Sequence, residues 1–205
     1  MKLKVGISAV SLFALACVIA AVPASAESFV IYDNTGPGSF VTNAWSIFGT
    51  DAVTDSFILP DAETIDGANF DVWVLPGDSL TSVDWSITDT PFGTVEASGI
   101  STEGPNTSIG TGFGYYPILA ESISIPDVTL PAGTYDLELT GGQDAYDTSV
   151  WWDESDGPST AENAGGAIPS ETFQIDVTPE PPSFVLMGLG ILALAGLAVR
   201  NRLLA

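Results

Sequence analysis

Between Glu27 and Thr178 the chain contains no lysine, no arginine, no histidine and no cysteine. Its 205 residues include only four basic ones, and all stand at the ends: Lys2 and Lys4 near the start, Arg200 and Arg202 near the finish. Of the 26 acidic residues only Glu180 lies outside the central stretch, which leaves 25 carboxylates with no cationic side chain among them. Each absence removes a class of chemistry. A polyanion repels phosphate backbones and anionic lipid headgroups, so nucleic acid is excluded as a partner. Hydrolytic triads need a histidine or another positioned base beside a nucleophile, and the centre offers no histidine, lysine or cysteine. With Cys17 alone in the first segment, the centre has no disulfide, no thiolate-bound metal and no thiol nucleophile. Glycoside cleavage, which needs only two carboxylates at a suitable separation, survives this elimination.

What is present argues for a folded domain. Hydrophobic residues make up 45% of the chain, and Trp, Tyr and Phe recur through the acidic middle. Disordered acidic chains lack that apolar supply. Residues 27–178 have the length of one domain, and without disulfides it must rest on its core.

The ends carry addresses. Lys2 and Lys4 precede an apolar stretch from Val5 to Val22, followed by Pro23 and Ala24-Ser25-Ala26. A positive n-region, an apolar h-region and an A-x-A site are the parts of a secretory signal peptide, with cleavage specified by Ala24 and Ala26. Two alternatives are an uncleaved N-terminal membrane helix, since the stretch is long, and a lipoprotein signal at Cys17. Ala14-Leu15-Ala16 before that cysteine lacks the large aliphatic residue such a signal wants. At the other end the apolar run Ser183 to Val199 precedes Arg200-Asn201-Arg202. Seventeen helical residues rise about 26 Å, only marginally enough to cross a hydrocarbon core of roughly 30 Å with the arginines snorkelling. The arginines then face the cytoplasm and the acidic domain the outside. The Pro-rich junction at Pro179 to Pro182 stays extended between domain and span.

Pro179-Glu180-Pro181, the Gly/Leu/Ala-rich run containing Met187-Gly188-Leu189-Gly190, and the closing Arg200 and Arg202 resemble, in that order, the PEP-CTERM sorting signal. The resemblance implies processing by an exosortase, an integral membrane enzyme with a cysteine nucleophile that cuts near the Pro-Glu-Pro and releases or transfers the ectodomain. The chain departs from the pattern in ending Leu203-Leu204-Ala205 after only two arginines, which keeps an ordinary C-terminal anchor as the alternative. The expected organisation is a signal peptide over 1–26, an ectodomain over 27–178 and a sorting signal over 179–205, with its transmembrane helix at about 183–199. The expected route runs through an inner-membrane intermediate to the cell surface or the medium.

Within the ectodomain the apolar periodicity is two. Val83, Trp85 and Ile87, then Tyr135, Leu137 and Leu139, then Phe173, Ile175 and Val177, and earlier Phe70, Val72 and Val74, each alternate with mostly polar neighbours. Further strands are expected at Phe29 to Tyr32, Asp55 to Leu59, Thr94 to Ala97, Ser122 to Ile125 and Ser149 to Trp152. Turn residues at Pro76-Gly77-Asp78, Pro91-Phe92-Gly93, Pro131-Ala132-Gly133 and Gly141-Gly142 separate them, and Gly104 to Gly114 reads as a long loop. Eight or nine short strands with one apolar face predict an all-β fold, an antiparallel, jelly-roll-like β-sandwich. Val83-Asp84-Trp85-Ser86-Ile87, Pro91-Phe92-Gly93, Leu130 to Tyr135, and Trp152-Asp153-Glu154 leading to Gly157-Pro158-Ser159 make the ectodomain similar to a group of exported PEP-CTERM proteins associated with extracellular polysaccharide and biofilm. That resemblance supports the sandwich and brings no established activity.

Two constellations are candidates for a site. Asp144, Asp147, Asp153, Glu154 and Asp156 offer the hard oxygens that Ca²⁺ prefers, without the ligand order of an EF-hand loop. Calcium is the one cofactor the sequence suggests, and solvated surface charge is the plainer account of the same acids. Trp151, Trp152, Tyr115 and Tyr116, with Trp73, offer rings on which the C–H face of a pyranose can lie, although strand alternation turns one of Trp151 and Trp152 into the core. The expected role is a non-enzymatic, exosortase-processed structural or adhesive protein of the cell surface or matrix. A carbohydrate-binding module and, further off, a carboxylate-only glycosidase are the alternatives.

Overall fold

The computed structural model describes residues 27–35, 43–102 and 107–178, together with Gly190. The expected signal-cleavage site at Ala24 and Ala26, the sorting motif at Pro179, Glu180, Pro181, Arg200 and Arg202, and the span over 183–199 lie outside the described stretches. Among the described residues no helix is long and apolar enough to cross a membrane. Residues Ser28–Pro179 form one compact unit.

That unit is all-β. Its strands are β1 Phe29–Asp33, β2 Ala44–Ser46, β3 Ala52–Leu59, β4 Glu63–Val74, β5 Leu80–Thr88, β6 Val95–Thr102, β7 Thr107–Gly112, β8 Tyr116–Leu130, β9 Gly133–Asp144, β10 Val150–Asp153, β11 Ala161–Asn163, β12 Gly166–Ile168 and β13 Phe173–Thr178. They make two antiparallel sheets. In the first, β4 is the spine: β8 runs along one edge and carries β7, while β13 with β1 and β10 with β2 share the other edge end to end. The second has the order β12-β11-β3-β9-β5-β6.

The four strongest alternations of the sequence become the core strands β5, β9, β13 and β4. Register puts Trp85 opposite Leu139 and Ile87 opposite Leu137 in the second sheet, and Phe70 opposite Phe173 in the first. All of these side chains are buried in one cluster drawn from both sheets, joined by Ile47, Val53, Phe57, Ile65 and Trp152. Each fully buried side chain of this kind contributes about 1.5–3 kcal/mol relative to exposure. The expected strands at Phe29 to Tyr32, Asp55 to Leu59, Ser122 to Ile125 and Ser149 to Trp152 fall on β1, β3, β8 and β10, and Thr94 to Ala97 overlaps the start of β6.

The reading of Gly104 to Gly114 as a loop is corrected over Thr107–Gly112, which is β7 paired with β8. Both of its faces are largely exposed, so it carries no apolar alternation to read. Strands β2, β11 and β12, three residues each, are too short to show a period.

Candidate functional site

The second half of β4 reads Asn69-Phe70-Asp71-Val72-Trp73-Val74, so Phe70, Val72 and Val74 enter the core while Asn69, Asp71 and Trp73 face outward. Strand β10 lies beside it, with Trp151 opposite Trp73 and Trp152 opposite Val72. The alternation therefore divides the tryptophan pair. Trp152 is fully buried, edge-on to Phe173, with its indole N–H donated to the Thr172 carbonyl at 2.8 Å, so its ring is closed to any ligand. Trp151 stands outward beside Trp73.

The β7–β8 hairpin covers this face. Tyr115 N–H donates to the Gly112 carbonyl at 3.0 Å, and the two residues between, Phe113 and Gly114, have φ of 50° and 66°. Positive φ at both central positions defines a type I′ turn, whose twist matches that of the flanking strands. Gly112 lies directly over the Trp73 indole, where a Cβ would clash with the ring. Beyond it Phe113 packs edge-on to Trp73 with centroids 5.4 Å apart, Tyr116 stacks on Trp73 at 6.1 Å, and Trp151 sets its edge to Tyr116 at 5.6 Å. Tyr115, 61% exposed, meets Tyr116 edge-on. Trp73 is only 3% exposed as a result, whereas Phe113 remains 67% exposed. Between these rings lies a cleft of about 210 Å³ lined by Asn43, Ala44, Trp73, Phe113, Tyr116 and Trp151.

Carboxylates flank the rings. Trp73 donates its indole N–H to Asp153 Oδ1 at 2.5 Å, and Glu154 Oε2 accepts from Asn43 Nδ2 at 2.9 Å and Trp45 Nε1 at 3.3 Å. Burial, with the negative charges of Asp71 and Glu154 beside it, pushes Asp153 up to about 7 against the opposing bond from Trp73. Burial alone pushes Asp71 up to about 6. Asp71 also lines a second, polar groove of about 410 Å³, with Asn69, Thr172 and Gln174. It leaves β4 on the same face as Trp73, and its charge acts on Asp153.

The five acids named as calcium candidates are divided between the two ends of β10. Asp144 and Asp147 belong to the turn that precedes it; Asp144 accepts the Thr148 hydroxyl and the backbone N–H groups of Thr148 and Ser149. Burial alone pushes the Asp144 carboxyl up, but those hydrogen bonds outweigh it and hold the group below the usual range. Asp153, Glu154 and Asp156 lie at the other end of the strand, whose four residues span about 13 Å. Among the described residues no three His, Cys, Asp or Glu side chains gather so as to hold a metal ion.

The structure thus brings Trp151, Tyr115, Tyr116 and Trp73 together and sends Trp152 inward. Sequence reasoning missed Phe113, Asn43 and Asp71. Phe113 sits in a segment read as loop, Asn43 is an isolated amide, and Asp71 is one acid among 25 in residues 27–178. No protein-family model matches the chain, and no curated protein is significantly similar to it.

Proposed function

We propose that the chain is an exported surface or matrix protein, sorted by an exosortase, whose ectodomain adheres to extracellular polysaccharide through the aromatic cleft. The ectodomain is taken as a jelly-roll-like sandwich, a reading supported by the two antiparallel sheets and by a core drawn from both. The observation that carries the binding role is the convergence of Trp73, Phe113, Tyr116 and Trp151, from three separate strands and a strained turn, around one open cleft. Aromatics normally fill cores; here Phe113 and Tyr115 are held in solvent at a hairpin tip. The cleft is smaller than the 300–1,000 Å³ of drug-sized pockets, which suits one sugar ring of a chain that continues past it. The test is titration of residues 27–178, which carry their own core, against a panel of soluble polysaccharides. Trp151→Ala is expected to weaken binding at least tenfold with the melting temperature little changed, as for an aromatic anchor. Absence of any glycan binding, or binding indifferent to Trp151→Ala, defeats the reading.

A further inference from the structure

Resting on that reading, we propose that the cleft selects a sugar bearing a free, protonated amine, such as a deacetylated hexosamine unit, with Asp71 as the group that receives the ammonium. The two carboxylates hydrogen-bonded to residues beside the cleft are already engaged. Asp153 holds Trp73, and Glu154 holds Asn43 and Trp45. Asp71 projects from the same face of β4 as Trp73, two residues away and so about 7 Å along the strand, and borders the neighbouring polar groove. No hydrogen bond from a described side chain reaches it. The ectodomain contains no lysine, arginine or histidine, so no side chain of the domain supplies a cation to this carboxylate and a cationic ligand meets no competitor from the protein.

The chemistry of the site also discriminates. A uronate or sulfated sugar would bring a further negative charge beside Asp71, Asp153 and Glu154, and is rejected. A neutral ring stacks on Trp151 and Tyr116 but brings no cation to Asp71. An amino sugar does both: its C–H face lies on the rings, and its ammonium makes a charge-assisted hydrogen bond to Asp71.

Calorimetric titration of residues 27–178 with a short glucosamine oligomer and with the same oligomer fully N-acetylated, at near-neutral pH and physiological ionic strength, tests this. The free-amine form is expected to bind at least tenfold more tightly. Asp71→Asn should remove that preference while leaving the weaker N-acetylated binding in place. Glu96→Gln, which removes one charge from the exposed β6 of the other sheet, should leave the preference intact. Equal binding of the two oligomers, or a preference that survives Asp71→Asn, overturns the amine assignment and leaves the carbohydrate reading standing. A preference reduced equally by Glu96→Gln assigns it to the overall charge and likewise overturns the proposal. Binding of neither oligomer, nor of any other glycan, brings down the carbohydrate reading itself.

Discussion

Glu171 is 0% exposed, and neither of its carboxylate oxygens has a hydrogen-bond partner. Burial, followed by the charges of Asp55, Glu154 and Asp153, pushes it up to about 10. With no cationic side chain in the domain, a proton is what neutralises it, so Glu171 is uncharged at pH 7. Asp55, equally buried, receives the backbone N–H of Glu171 at 2.6 Å and of Ser56 at 2.7 Å, and burial raises it only to about 6. Because the folded value of Glu171 lies above the unfolded 4.5, the native state holds a proton that the unfolded chain has lost, and stability falls as pH rises from about 4.5 towards 10. At about 1.4 kcal/mol per pH unit, the deficit at neutrality is on the order of 3 kcal/mol. Glu171→Gln keeps the shape and removes the titration. It should stabilise by roughly 1–3 kcal/mol at pH 7, the lower end because the amide brings its own unpaired N–H, and by less than about 1 kcal/mol at pH 5. Urea unfolding at the two pH values measures this, and a gain that does not grow with pH would show that the carboxyl is not buried as the structure has it.

At the scale of the element, the β7–β8 hairpin combines two features that stability alone does not favour. Phe113 takes a left-handed φ that costs a non-glycine residue about 1–2 kcal/mol, and its ring stays in solvent. Asparagine tolerates that conformation better. Phe113→Asn should therefore leave the melting temperature unchanged or raise it, while weakening polysaccharide binding severalfold. A large loss of stability with unchanged binding would mean that the ring serves only to cover Trp73. The same hairpin shows where sequence reading stops. Strands β4, β5, β9 and β13 were legible because each puts three apolar side chains into the core at alternate positions. Strand β7 was not, because its side chains enter no core and its residues are mostly Thr, Ser and Gly. Tyr115, Tyr116, Trp73 and Trp151 were visible as aromatics, but their convergence depends on the register of β10 against β4 and on a turn whose left-handed Phe113 gives no turn signal of its own. Strand β10 runs between Asp144 and Asp147 on one side and Asp153, Glu154 and Asp156 on the other, so that acids close in sequence stand at opposite ends of a strand.

For the whole molecule, charge sets the response to solution conditions, and two contributions can be separated. Desolvation raises Asp55, Asp71 and Asp136 to about 6 and Asp153 to about 7. Their folded values exceed the unfolded 3.8, so each contributes stability that is present in acid and lost as pH rises through its folded value. Asp33 and Asp89, held low chiefly by the backbone N–H groups of Thr35 and Thr94, act in the opposite sense and lose their contribution only as pH falls below the usual carboxylate range. Stability should thus be greatest near about pH 4, where the raised groups are protonated in the folded state and only partly ionised in the unfolded chain, and decline from there towards pH 8. The second contribution is repulsion among exposed carboxylates, which salt screens as the Debye length falls from about 30 Å at 0.01 M to about 10 Å at 0.1 M. Buried groups are screened much less. Added sodium chloride should therefore raise the melting temperature at every pH above the carboxylate range, yet leave the domain more stable at pH 5 than at pH 8. Differential scanning calorimetry over a grid of pH and salt resolves the two. A melting temperature that climbs from pH 5 to 8 contradicts the raised carboxyls, and a pH trend that vanishes in high salt transfers the whole effect from the buried acids to the surface.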